Sequence, residues 1–113
     1  MRIVLIGSES GVLGAALAEY LHLDHIRHPE EISADGFVLD GAPRDVAEAR
    51  ALDAVLRGRA ADVSAVVWVT GRPPTPQVEA VLDHYRGRVV EVDPGEGAFD
   101  AALEGLRESL LTA

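Results

Sequence analysis

The feature that most constrains this chain is an apolar run followed at once by a glycine-bearing turn and helical periodicity. Residues 3–6 form a continuous apolar run, which is typical of a strand buried on both faces. Gly7, Gly11 and Gly14 follow, and apolar residues then recur at helical spacing up to Leu21. A strand, a glycine turn and a helix in this order direct backbone N–H groups and a helix N-terminus towards a phosphate.

Strand and helix patterns alternate along the rest of the chain. Further strands are predicted at residues 25–27, 37–40, 65–69 and 89–92, and helices at residues 11–21, 45–57, 75–87 and 99–110. The alternation predicts one domain over residues 1–113, an α/β fold with a parallel sheet and helices on both faces. In the second helix we expect one buried face, made of Ala47, Ala51, Leu52, Val55 and Leu56.

Composition excludes several classes of function. The net charge of −9 and the pI of about 4.7 argue against nucleic acid as a partner, because such partners require clustered positive charge. All 10 basic residues are arginine, which excludes mechanisms that need a lysine, such as a phosphate-loop lysine or a Schiff base. There is no cysteine, no apolar run of about 20 residues and no signal-peptide pattern. We therefore expect a cytoplasmic protein with no membrane partner.

The glycine turn admits three interpretations. As a phosphate loop it has Val12 at the second glycine position, Leu13 at the lysine position and Ala15 at the hydroxyl position. As a dinucleotide turn it lacks the expected acid about 20 residues on, where Arg27 stands instead. The third interpretation is a tight turn that needs glycine for its backbone geometry and binds nothing.

The sequence D-G-A-P-R, from Asp40 to Arg44, is more specific. It places an acid at the carboxyl end of a predicted strand and an arginine just beyond a turn. The acid could hold Mg²⁺ through water, and the guanidinium fork of the arginine suits a phosphate. The alternative explanation is a capping acid beside a surface arginine. His22, His25 and His28 are also spaced evenly, but they cross a helix end and a strand, so we predict no metal site there.

Taken together, these stretches resemble the adenylate kinase (nucleoside monophosphate kinase) family. ADGFVLDGAPRDVAEARALDAVL is similar to the family's LDGFPR strand and the helix after it, MRIVLIGSESGVLGAALAEYL to its start, and DHYRGRVVEVDPGEGAFDAALEGLRESL to its last strand and helix. The resemblance implies a P-loop-type three-layer α/β/α fold with a five-stranded parallel sheet in the order 2-3-1-4-5. It also implies a minimal, degenerate core, since the segments of the family's monophosphate-binding region and lid look deleted.

The resemblance also implies site residues. Asp40 matches the family's Mg²⁺-associated acid and Arg44 its phosphate-contacting arginine, while Arg72 is a candidate substitute phosphate ligand without a motif match. These three are the candidate catalytic residues. The candidate cofactor-binding residues are Asp40, Arg44, Gly95, which stands where the family's backbone borders adenine, and the remains of the loop, Gly7, Ser10, Gly11 and Gly14. The implied cofactor is a nucleotide with Mg²⁺.

Three functions follow as hypotheses. The first is a degenerate adenylate-kinase-like protein, not an efficient kinase, that serves as a binding or scaffold module or a repurposed enzyme. The second is a residual nucleotide-binding phosphotransferase or hydrolase, and the third is a Rossmann-like dinucleotide binder. The expected partners are a nucleotide or another phosphate-bearing small molecule, and a second copy of the chain or another protein.

Overall fold

The computed structural model describes residues 1–7, 10–32 and 36–112, with the backbone alone at Ser10 and residues 109–112. The strands are β1 (Arg2–Gly7), β2 (Asp24–Ile26), β3 (Phe37–Asp40), β4 (Ala65–Val69) and β5 (Val89–Val92). The helices are α1 (Ser10–Leu21), α2 (Val46–Arg57), α3 (Pro76–His84) and α4 (Ala98–Thr112), and a 3-10 turn covers Pro29–Glu31. Among the described residues, no helix combines the length and apolar character needed to cross a bilayer.

The five strands form one parallel sheet in the order β2-β3-β1-β4-β5. This confirms the predicted fold class and strand order. Strand β1 is central, with Leu5 paired to Asp40 of β3 and Gly7 paired to Val69 of β4. The segments that follow β1, β3 and β4 therefore leave the sheet side by side at its carboxyl edge.

A hydrophobic core lies on each face of the sheet, because successive strand residues point to opposite faces. Ile3 and Leu5 of β1 pack with Leu13 and Leu17 of α1 and with Leu106 of α4. Val4 and Ile6 of the same strand belong to the opposite core, which holds Leu52 and Leu56 of α2 and Val81 of α3. Helices α1 and α4 thus cover one face, and α2 and α3 cover the other.

Local signals set the helix starts, and one predicted face is partly wrong. The Asp45 carboxylate accepts a hydrogen bond from the backbone N–H of Glu48 at 2.9 Å, and the Thr75 hydroxyl accepts one from the N–H of Val78 at 3.2 Å. In α2 the buried residues are Ala49, Leu52 and Leu56, whereas the predicted Ala47, Ala51 and Val55 are exposed. Alanines on both sides of the helix made the apolar pattern too wide, and the leucines decide which side packs on the sheet.

Candidate functional site

The predicted site residues collect at the carboxyl edge of the sheet, the edge at which open parallel α/β sheets bind ligands. Three clefts lined by described residues open along it. The β2–α2 cleft has a volume of about 670 Å³, the α2–α3 cleft about 580 Å³ and the α1–α4 cleft about 720 Å³. Each is named here by two elements that carry its lining residues or adjoin them in sequence, and together they span the edge from β2 to α4.

Gly7, the last residue of β1, is required by its surroundings. Its φ of +130° is a conformation that residues with a side chain rarely adopt. A Cβ atom built on it would overlap the backbone carbonyl oxygen of Val69 in β4 and lie 2.9 Å from the Val69 Cβ. The close approach of the two central strands therefore accounts for this glycine without a ligand. Residues 8 and 9, which lie between β1 and α1 in the sequence, are outside the described residues.

Asp40 lies on the α1 face of the sheet, and its carboxylate has a protein partner in the neighbouring strand β2. Its side chain is only 7% exposed, and its Oδ2 lies 3.3 Å from the Nε2 of His25 in β2. A Cβ built on Gly14 would lie 2.9 Å from that Nε2 and 3.2 Å from Oδ2, whereas one built on Gly11 would lie 3.7 Å from Oδ2. Gly14 therefore leaves the space that the His25–Asp40 pair occupies.

Leu13, predicted from the sequence to stand at the lysine position of a phosphate loop, has a side chain that is 8% exposed. It packs in the core between α1, α4 and the sheet. It also contributes to the wall of the α1–α4 cleft, whose described lining residues carry no charge: Gly11, Val12, Leu13, Ala16, Val69, Pro94, Gly95, Ala98 and Phe99. The residue predicted to stand at the lysine position is therefore part of an apolar wall.

Arg44 stands between two of the clefts and lines both. On one side it lines the β2–α2 cleft, together with Arg27 and Arg59. On the other it lines the α2–α3 cleft, together with Gly7 and Arg72. The segment that carries it leaves β3 through Gly41, whose φ is +84°, and a cis peptide bond joins Ala42 to Pro43.

The arginines of these two clefts differ in their partners. The Nη2 of Arg59 donates a hydrogen bond to the carbonyl oxygen of Ile32 at 3.1 Å, which ties the end of α2 to the 3-10 turn. Within the described part of the chain, the guanidinium groups of Arg44 and Arg72 make no hydrogen bond or ion pair, and both residues are exposed. These two heads are therefore available to a ligand.

The predicted residues are thus divided among three places. Gly7, Arg44 and Arg72 line the α2–α3 cleft, Gly11 and Gly95 line the α1–α4 cleft, and Asp40 and Gly14 lie with His25 beneath α1. The Ser10 side chain lies outside the described residues. The roles of all these residues in binding or catalysis stay predictions.

Sequence reasoning missed His25 as the partner of Asp40. The signal was available, because β2 pairs with β3 in parallel and places His25 opposite Val38, on the α1 face of the sheet. Among the described residues, no group of three or more histidine and acidic side chains could hold a metal ion.

A second polar cluster joins α2 to the end of α3, away from the carboxyl edge. The hydroxyl of the fully buried Tyr85 donates a hydrogen bond to Asp53 Oδ1 at 3.0 Å, and Asp53 Oδ2 lies 2.6 Å from His84 Nε2. The Arg88 guanidinium lies 5.3 Å from the centre of the Tyr85 ring. Burial first, then the charge of Asp53 and its hydrogen bond, raise the pKa of Tyr85 well above its ordinary value of 10.0, and Arg88 opposes the shift.

The order of the sheet, the helices on both faces and the glycine turn after the central strand together define a P-loop-type α/β protein. Comparison with known sequences then gives three relatives, all adenylate kinases. The one from Streptococcus gordonii is 34% identical over 67 residues, covering 59% of this chain and 29% of that protein. The one from Nocardia farcinica is 35% identical over 101 residues, covering 66% of this chain and 55% of that protein.

The third, from Parvibaculum lavamentivorans, is 46% identical over 44 residues, covering 39% of this chain and 20% of that protein. No family model matches the chain. The chain thus spans between 20% and 55% of the length of the curated relatives it matches. These matches show that it is related to the adenylate kinase family.

Proposed function

We propose that this chain is a degenerate adenylate-kinase-like core that binds a phosphate-bearing small molecule, with nucleotides as the first candidates, and does not transfer phosphoryl groups efficiently. The observation that carries the proposal is the buried side chain of Leu13 at the position of the phosphate-binding lysine. A leucine there supplies neither a hydrogen bond nor a charge to a phosphate.

Phosphoryl transfer depends on positioning and on charges aimed at the transferring group. Loss of a single preorganised donor of this kind typically costs about 10²–10³ in rate. Here Leu13 and Ala15 replace two such groups of the related family, and the chain has no lysine that could substitute. The combined loss favours a binding role over an efficient kinase.

The residues present do not fit a nucleotide–Mg²⁺ complex bound as the resemblance implies. Asp40, which matches the Mg²⁺-associated acid, is largely buried and lies beside His25. Ala15 has no hydroxyl to offer the metal ion. We therefore propose that any nucleotide binds through its phosphate to arginine, in which case added Mg²⁺ does not strengthen binding.

Arg44 supports the binding role. It matches the family's phosphate-contacting arginine, it lines two of the three clefts, and its guanidinium has no partner among the described residues. A guanidinium fork binds phosphate oxygens through two parallel hydrogen bonds, so a single arginine in a cleft can hold a phosphate in a fixed orientation.

Calorimetric titration with ATP, ADP, AMP and NADP(H), with and without Mg²⁺, tests the proposal directly. We expect at least one nucleotide to bind, Arg44→Ala to weaken that binding by about tenfold or more, and Arg50→Ala, an exposed arginine of the following helix α2, to leave it unchanged. A coupled assay for ADP formation should show no turnover near that of a kinase. The absence of binding by any of these ligands at millimolar concentration would refute the binding role.

The second candidate function is a residual phosphotransferase or hydrolase that uses arginine in place of lysine. One observation favours it: Arg44 and Arg72 reach a shared cleft from different segments. Release of ADP or phosphate from ATP, lost in Arg72→Ala and retained in Arg50→Ala, would support this candidate.

We also propose that a second copy of the chain or another protein covers the outer face of α1. Val12 is 83% exposed and Tyr20 60% exposed on this helix, and the Tyr20 ring meets Phe99 of α4 edge-on at 5.5 Å. Light scattering at increasing concentration tests self-association, which Val12→Asp should reduce. A monomer at all concentrations would leave only a different protein as the partner.

A further inference from the structure

The α2–α3 cleft has a charge that is unusual for this protein. The chain as a whole carries a net charge of −9, yet the charged residues that line this cleft are Arg44, Asp45 and Arg72. Asp45 keeps its negative charge, and its carboxylate caps α2 by accepting a hydrogen bond from the N–H of Glu48. With two arginines against one aspartate, the charged lining of the cleft is net positive on a negatively charged molecule.

The two arginines enter the cleft from different sides. Arg44 comes from the segment between β3 and α2, and Arg72 from the segment between β4 and α3. Backbone contacts define the start of the second segment: the N–H of Thr70 donates to the carbonyl oxygen of Val92 at 2.9 Å, and the N–H of Arg72 donates to that of Thr70 at 2.6 Å. Both guanidinium groups lack a partner among the described residues.

The rest of the lining is largely apolar. Trp68 lies at the wall with little exposure, and Ile6, Pro73, Pro74 and Val78 complete the apolar surface. A volume of about 580 Å³ is within the range of pockets that bind small molecules. The cleft thus offers two positive charges beside a surface that suits an apolar or aromatic group.

We propose that the α2–α3 cleft binds a phosphomonoester with an apolar or aromatic body, and that Arg44 and Arg72 hold its phosphate together. A phosphomonoester carries close to two negative charges at neutral pH, which the two guanidinium groups match, whereas a carboxylate carries one. This inference rests on the proposed binding of a phosphate-bearing small molecule, and adds the cleft, the second arginine and the kind of ligand body.

Titration of the 113-residue chain with phenyl phosphate, inorganic phosphate and benzoate tests the ligand class. We expect phenyl phosphate to bind more tightly than inorganic phosphate, because the ring adds apolar contact, and more tightly than benzoate, because benzoate carries a single charge. Binding should weaken as salt is added. Equal affinity for phenyl phosphate and benzoate would contradict the choice of a phosphate, and failure of phenyl phosphate to bind would overturn the proposal.

Three arginine variants distinguish the α2–α3 cleft from the β2–α2 cleft. Arg44 lines both, Arg72 lines only the first, and Arg27 lines only the second. We expect Arg44→Ala and Arg72→Ala each to weaken phenyl phosphate binding by about tenfold or more, with Arg27→Ala unchanged. Loss in Arg44→Ala and Arg27→Ala, with Arg72→Ala unchanged, would place the ligand in the other cleft and overturn the inference.

The same variants separate this inference from the proposed function. If AMP or ATP binds but Arg72→Ala does not weaken that binding, and phenyl phosphate does not bind, the proposed function stands and the inference fails. If phenyl phosphate binds through Arg44 and Arg72 and no nucleotide binds, the inference stands and the nucleotide candidates fail. Far-ultraviolet circular dichroism of each variant confirms that a loss of binding is not a loss of fold.

Discussion

The Nε2 atom of His25 lies 3.3 Å from the Oδ2 atom of Asp40, and this pair joins β2 to β3 beneath α1. Asp40 ends β3 and begins the D-G-A-P-R sequence, so the residue predicted to be a metal-associated acid also has a structural partner. Removing either side chain should therefore lower the free energy of unfolding, whether or not a nucleotide is present.

His25→Ala should lower the free energy of unfolding by roughly 1–3 kcal/mol, because it leaves the largely buried Asp40 carboxylate with one partner fewer. Asp40→Asn should lower it by less, because asparagine keeps a side-chain oxygen that can accept a hydrogen bond from His25. Urea denaturation followed by circular dichroism measures the change. Asp24→Asn in β2 is the matched control, since Asp24 is exposed, and should change stability by less than about 0.5 kcal/mol. A fully stable His25→Ala protein would mean that the pair does not contribute to the fold.

Gly14→Ala should destabilise the protein although alanine is the better helix former. The new Cβ would lie 2.9 Å from His25 Nε2, and overpacking of this kind costs about 1–3 kcal/mol. Gly11→Ala is the control within α1, because its Cβ would meet nothing nearer than 3.7 Å, and we expect it to be neutral or stabilising by up to about 1 kcal/mol. Combining Gly14→Ala with His25→Ala should cost less than the sum of the two changes. Full additivity would argue against the contact.

Gly7→Ala should be the most damaging glycine substitution in the turn. Gly7 has a φ of +130°, and a new Cβ would overlap the Val69 carbonyl oxygen. Gly7 and Val69 belong to adjacent central strands, so relieving the overlap would disrupt the pairing of β1 with β4. We expect a loss of more than about 3 kcal/mol or failure to fold. Thermal unfolding of the chain without ligand measures it. A stable Gly7→Ala protein would show that β1 and β4 can separate.

Stability should fall as the pH rises above about 10, because of Tyr85. Its pKa is raised in the folded state, so between the ordinary value of 10.0 and the folded value the folded protein holds a proton that the unfolded chain has lost. The contribution is complete below pH 10 and decreases above it, with a slope of up to about 1.4 kcal/mol per pH unit. Urea denaturation at a series of alkaline pH values measures this slope.

Tyr85→Phe should flatten that slope, and the exposed Tyr20→Phe should retain it. The test is unusually clear in this chain, because it has neither lysine nor cysteine to titrate in the same range. The slope is the decisive quantity, since Tyr85→Phe also removes the hydrogen bond to Asp53 and lowers stability at every pH. An unchanged slope in Tyr85→Phe would assign the alkaline loss to another group.

Most of the fold was predictable because its signals are local. The apolar runs at β1 and β4 and the alternation of strand and helix gave the sheet and the helices, and the resemblance gave the strand order. The buried side of α2 was predicted only in part, since alanine at positions 47 and 51 is as compatible with the surface as with the core.

The site was predictable by position and not by arrangement. Residues after parallel strands meet at one edge, so Arg44 and Arg72 were expected there, and both line a cleft at that edge. Which face of the sheet each side chain takes depends on the register between strands. That register turns Asp40 towards α1 and His25, while Arg44 lies on the side of α2 and α3.

Trp68 is the only tryptophan of the chain, and it lies at the wall of the α2–α3 cleft. An indole ring so placed changes its emission when the solvent beside it is displaced or a charge is brought near. The protein therefore carries an optical reporter of that cleft in its native sequence. Its intrinsic fluorescence can follow occupation of the cleft in real time, without a label or a substitution.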